Sequence, residues 1–140
     1  MKLFYLFTLS LFMSISAHAQ QGWKLQLDTR VLLHATEENE EKNIVKLKLT
    51  DVKKAKQLLL HYNKAEENKD WIRTIALYDE GDKVLATMKG KKFFISTAVL
   101  QKHFKSAGTL KLFTTSIPKD PQLAARIRVR RVHLCTLVMN

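Results

Sequence analysis

Cysteine is almost missing from this 140-residue chain, and the single one, Cys135, can close no intramolecular disulfide. Small secreted eukaryotic domains usually rest on several such bridges, so a disulfide scaffold is excluded and stability must come from an apolar core. Glycine and proline are scarce too, at four and two residues. The glycines are dispersed, which leaves no phosphate-cradling loop, no low-complexity tract and no interdomain linker. Glycosylation sequons are lacking after the leader, since Asn39, Asn43, Asn63 and Asn68 have no hydroxyl residue two positions on. Acidic residues number 13 against 24 Lys and Arg, a formal charge of +11. That excess speaks about partners and solubility rather than fold. It admits an anionic ligand, surface or protein partner, or simply a Lys-rich solvated surface.

The N-terminus carries the most specific signal. Lys2 precedes an apolar run over residues 3–15, and Ala17-His18-Ala19 offers a small-x-small cleavage pattern. The run is shorter than the roughly twenty residues a membrane helix needs. It therefore reads as a signal peptide over residues 1–19, cleaved near Ala19–Gln20. No cysteine follows it, which argues against a bacterial lipid anchor. The expectation is a secreted or periplasmic protein with no membrane span in the mature part, and the missing disulfides and sequons favour a bacterial setting. Residues 20–140 then form one domain, large enough to bury a core unaided.

Period-two alternation dominates that domain. Residues 23–28 and 44–49 alternate apolar with polar, and residues 31–33 extend or follow the first strand. The acidic run at 37–41 reads as an exposed loop. Residues 51–68 admit two parses. One continuous helix would make the fold α+β, while a helical turn over 51–54 with a strand at 56–63 keeps it β. The second is favoured, because residues 58–62 form a compact apolar run ahead of a polar turn. Residues 71–78 and 84–88 flank Asp79-Glu80-Gly81-Asp82 as a hairpin. A strand follows at 93–96. Ser96 or Thr97 can cap a short helix over 98–105 that Gly108 closes in a left-handed conformation. Residues 109–117 alternate again until Pro118 and Pro121 interrupt them. Regular turn signals with alternation predict an all-β antiparallel β-sandwich, Ig-like or a similar Greek key, of seven or eight short strands with one or two short helices.

One constellation is unusual. Arg126, Arg128, Arg130 and Arg131 fall within six residues, whereas residues 20–140 hold only two other arginines, Arg30 and Arg73. Residues 126–138 read as the last and longest β segment, with a phase change that a β-bulge at Arg130-Arg131 explains. Ile127, Val129, Val132 and Leu134 would then face the core. Arg126, Arg128, one of Arg130 and Arg131, His133 and Cys135 would share the opposite face. Guanidinium forks match carboxylate, sulfate and phosphate oxygens, so the stripe is a candidate anion-binding site made of Arg126, Arg128, Arg130, Arg131 and His133. The alternatives are a cross-strand ion-pair ladder and protection of a sheet edge.

The remaining residues complete no catalytic or metal signature. His34, His61 and His103 are scattered, and His133 with Cys135 supplies two of the four ligands that a structural zinc site uses. Ser96, Ser106 and Ser116 lie in no nucleophile elbow. Asp79, Glu80 and Asp82 sit in a turn, and Cys135 has no supporting motif. No cofactor motif appears. Most of the eight aromatics beyond the leader fall at core positions, which argues against single-stranded nucleic-acid binding. The expectation is a non-enzymatic exported binding or accessory protein that recognises an anionic surface, glycan or protein. The alternatives are a structural component that associates through a sheet edge or residues 134–140, and a small enzyme without a recognisable motif.

Overall fold

In a computed structural model, residues 21–65, 69–106 and 108–140 are described. The expected leader over residues 1–19 lies outside them. No helix among the described residues is long and apolar enough to cross a membrane.

Among the described residues, nine strands form two facing sheets. The first holds β1 (Trp23–Leu27), β2 (Arg30–Ala35), β4 (Gln57–Tyr62) and β7 (Lys92–Ser96) in the order β2-β1-β4-β7. The second holds β3 (Ile44–Leu47), β5 (Trp71–Tyr78), β6 (Val84–Lys89), β8 (Thr109–Pro118) and β9 (Val132–Met139) in the order β3-β9-β8-β5-β6. Three short helices, α1 (Leu49–Lys54), α2 (Thr97–Ser106) and α3 (Pro121–Arg126), sit in the connections. The all-β sandwich is as expected, with one or two more strands and one or two more helices. All but one of the strand pairs are antiparallel; β3 runs parallel to β9.

Alternating side chains from both sheets meet in one core. Trp23, Leu25, Leu58, Leu60 and Phe93 from the first sheet pack with Ile75, Leu77, Leu110, Leu112, Leu134 and Leu137 from the second. Val52 of α1 and Leu100 of α2, both fully buried, join the same core. Trp23 lies directly opposite Tyr62 on β4, and the two rings stack at 6.0 Å. Across the sandwich, the Trp23 indole Nε1–H donates to the Leu134 carbonyl at 2.8 Å.

Local chemistry explains the turns. Asp28 adopts φ 53° between β1 and β2, a conformation that Asp tolerates better than most residues. Its carboxylate accepts the backbone N–H groups of Lys56 and Gln57, which fastens this hairpin to the start of β4. In the β5–β6 turn, Asp79 Oδ1 accepts from the N–H groups of Gly81 and Lys83, each at 2.9 Å. Ser96 Oγ accepts the Val99 N–H at the start of α2, as expected. Gly108 is not left-handed, however; the positive-φ glycines are Gly22 and Gly90.

The C-terminal third departs most from the sequence reading. Residues 126–138 are not one strand: α3 ends at Arg126, residues 127–131 carry no regular structure, and β9 begins only at Val132. Asp120 is the N-cap of α3, accepting the Gln122 N–H at 3.0 Å, and Pro121 follows in the first turn. Those two residues with Gln, Leu, Ala and Arg make a sound helix start that outweighs two or three alternating positions. A bulge does occur, but at Leu134 rather than Arg130-Arg131. Leu112 pairs with Cys135 and Phe113 with His133, which leaves Leu134 without a partner on β8. Because β9 lies between β3 and β8, residues 134–140 are no free edge for a partner strand.

Candidate functional site

The five residues of the expected stripe fall into three environments. Arg126 is exposed in the last turn of α3, where a cation is favourably placed against the helix dipole. Arg131 and His133 belong to a packed cluster on the outer face of the second sheet. Arg128 and Arg130 line a cavity.

The packed cluster is structural in character. The Arg131 guanidinium stacks 3.9 Å from the Phe113 ring centroid and 4.8 Å from that of Tyr78, and pairs with Asp82 at 3.2 Å. Phe113 meets both Tyr78 and His133 edge-on. His133 was expected on the solvent face with the arginines, yet it is fully buried. The bulge that follows it and the loop above it account for this. Glu38, in the acidic run expected to be an exposed loop, folds back and is only 27% exposed at its side chain. One Glu38 oxygen accepts the His133 backbone N–H at 3.0 Å, and the other pairs with Arg130. The bond from the His133 backbone, with help from Arg130, holds the Glu38 carboxyl below its usual range against the effect of burial. Burial pushes the His133 imidazole down, with Lys111 adding to the effect and Glu40 and Glu38 opposing it. His133 Nε2 meets Thr136 Oγ1 at 2.8 Å, while Nδ1 has no partner.

Cys135 was expected beside His133 on the outer face. It lies in the core instead, fully buried, and burial pushes its thiol up to about 12. A thiolate nucleophile is thereby disfavoured at neutral pH. Among the described residues, no three His, Cys, Asp or Glu side chains gather as metal ligands.

The cavity occupies one end of the sandwich, where residues 127–131 pass beside the ends of both sheets. Its volume is about 300 Å³, and its walls include Tyr62, Trp71, Arg73, Arg128, Arg130 and Ser116. Arg73 enters it from β5 with its guanidinium held in place. That group lies 4.1 Å from the Tyr62 ring centroid and donates to Thr114 Oγ1 at 2.9 Å. Thr114 in turn donates to the Thr74 carbonyl at 2.9 Å. Arg130 reaches the cavity while paired to Glu38. Arg128 is exposed and makes no ion pair among the described residues. The site therefore combines cationic forks with aromatic and hydroxyl groups, a set suited to holding an oxyanion attached to a ring or short chain.

Arg128 and Arg130 were legible in the sequence. Arg73, Tyr62, Trp71 and Thr114 were not, because they come from three strands that only the fold brings together. Arg73 did leave one trace: a charged residue within an otherwise apolar and β-branched strand. No protein-family model and no curated protein matches this chain.

Proposed function

We propose that this is an exported, non-enzymatic binding protein that captures an acidic glycan through the arginine-lined end of the sandwich. The observation that supports the reading is the convergence of Arg73, Arg128 and Arg130 on one cavity beside Tyr62 and Trp71. Guanidinium groups take sulfate or carboxylate oxygens two at a time, and the Trp71 ring suits the apolar face of a sugar, while Tyr62, stacked on Trp23 and Arg73, orients the Arg73 fork. A volume of about 300 Å³ stands at the small end for ligand pockets, so it fits a single acidic sugar unit better than a long segment. Arg73 is already oriented by Tyr62 and Thr114, which lowers the ordering cost on binding. The formal charge of +11 adds long-range attraction for any such polyanion.

Titration calorimetry with a short sulfated oligosaccharide tests this. The wild-type chain should bind, and Arg128→Ala should weaken binding about tenfold or more, in line with loss of one charge-assisted contact. Because Arg128 is exposed, circular dichroism of the variant should match wild type. Equal affinity in wild type and Arg128→Ala would remove the cavity from consideration.

A further inference from the structure

The outer face of the four-stranded sheet carries a second basic feature, remote in kind from the arginine cavity. Strand register sets His34, Lys24, His61 and Lys92 opposite one another on β2, β1, β4 and β7. They form a single row across the whole sheet, and all four are exposed. Adjacent members of such a row stand about 5 Å apart at Cβ. Two positions along β1, β4 and β7, and three along β2 across its bulge, runs a parallel row of Val31, Gln26, Leu59 and Phe94. Val31 is 48% exposed and Phe94 52% exposed.

Among the described residues, no ion pair involves a residue of this row. None of the four strands contains Asp or Glu. The ion pairs among the described residues involve Arg30, Arg130 and Arg131, and touch neither row. On the second sheet, by contrast, Glu38 and Asp82 come to the basic residues from loops. Lys24 and Lys92 present their charges outward with an imidazole beside each, a set of donors suited to an anionic partner. At its β1 end, Lys24, His34 and His61 also border a depression of about 170 Å³ beside Gly22. Gly22 has φ +135°, and a Cβ there would sit 2.0 Å from the Ala35 carbonyl oxygen, so the backbone at this point admits only glycine.

We propose that this face docks on an anionic lipid surface. Headgroup phosphates meet the His34–Lys24–His61–Lys92 row, while Phe94 and Val31 enter the interfacial layer beside it. Two observations select lipid over other anionic partners. A soluble polyanion has no apolar phase to receive Phe94 and Val31, whereas a membrane offers charge and apolar depth side by side. A second copy docking face to face would oppose one cationic row with another. None of the four residues of the row lines the arginine cavity.

Vesicle co-sedimentation tests the proposal, using the exported chain, residues 20–140, and vesicles of phosphatidylcholine alone or mixed with phosphatidylglycerol. Wild type should bind the mixed vesicles and not the neutral ones. A basic residue near an anionic leaflet strengthens binding roughly fivefold, so Lys24→Gln with Lys92→Gln should weaken it roughly 25-fold. Phe94→Ser should weaken binding to mixed vesicles at every salt concentration, and Arg128→Ala should leave it unchanged. Absence of wild-type binding would overturn the proposal, as would equal binding by the double lysine variant. Full binding by Phe94→Ser would overturn the lipid assignment and mark the row as a general polyanion contact. Because Arg128→Ala reads the cavity alone, failure of the glycan reading leaves this test intact.

Discussion

Replacing Trp23 by Phe removes one buried donor while keeping most of the ring's packing. The indole N–H donates to the Leu134 carbonyl at 2.8 Å, and Leu134 is the residue without a partner on β8. Trp23 is 1% exposed and Leu134 0%, so water cannot replace the lost donor. Loss of the bond, with a carbonyl left unsatisfied in the interior, costs about 1–3 kcal/mol. The smaller ring forfeits contacts worth roughly 1 kcal/mol more. The total of about 2–4 kcal/mol is a large share of a small domain's stability, and should appear as a lower urea midpoint with an unchanged slope. Far-UV circular dichroism should stay native, since Phe can still stack on Tyr62. A loss below about 0.5 kcal/mol would show that the indole bond does not pin the bulge to the opposite sheet.

Acid should weaken the fold in two stages. His133 is held below its ordinary 6.5, and Glu38 below its ordinary 4.5. In each case the unfolded chain binds the proton more readily, so both contributions are complete above pH 6.5. The histidine share is lost as pH falls from 6.5, and the carboxylate share as it falls through 4.5 and below. Urea midpoints followed across pH should show this, with His133→Leu flattening the upper limb and Glu38→Gln the lower. Arg131→Ala should cost about 1–2 kcal/mol, because it loses two aromatic faces as well as an ion pair, while Asp82→Asn, which removes the charge and still tolerates φ 60°, should cost less than about 1 kcal/mol; thermal unfolding of both variants compares them. Cys135, buried with its thiol pushed up to about 12, should resist a soluble disulfide reagent in the native protein and react at the rate of unfolding. Rapid reaction without unfolding would contradict its burial.

Much of the fold was legible because alternation and turn chemistry agreed. Asp79-Glu80-Gly81-Asp82 between two β-branched runs gave the β5–β6 hairpin, and the turn-then-strand parse of residues 51–63 matches α1 and β4. Failure came where a local signal competed with alternation. Asp120-Pro121 opens α3, and that cap overrode the R-I-R-V-R pattern behind it. The bulge position could not be read either, because it depends on Trp23 reaching across from another sheet to Leu134. For the site, clustering in sequence flagged Arg128 and Arg130, but it equally flagged Arg131 and His133, which fold into a packed cluster. Glu38 looked solvated only because its partners, Arg130 and the His133 backbone, lie more than ninety positions away. Arg73 carries no neighbouring charge in sequence, and its role depends on Tyr62 and Thr114 from other strands.

The most direct test of glycan capture is to follow arginine side-chain N–H resonances while a short sulfated oligosaccharide is titrated into the labelled protein. Shifts confined to Arg73, Arg128 and Arg130, saturating together, with those of Arg73 and Arg130 needing about tenfold or more ligand in Arg128→Ala, are the expected outcome. Saturation with those three signals unmoved would contradict it.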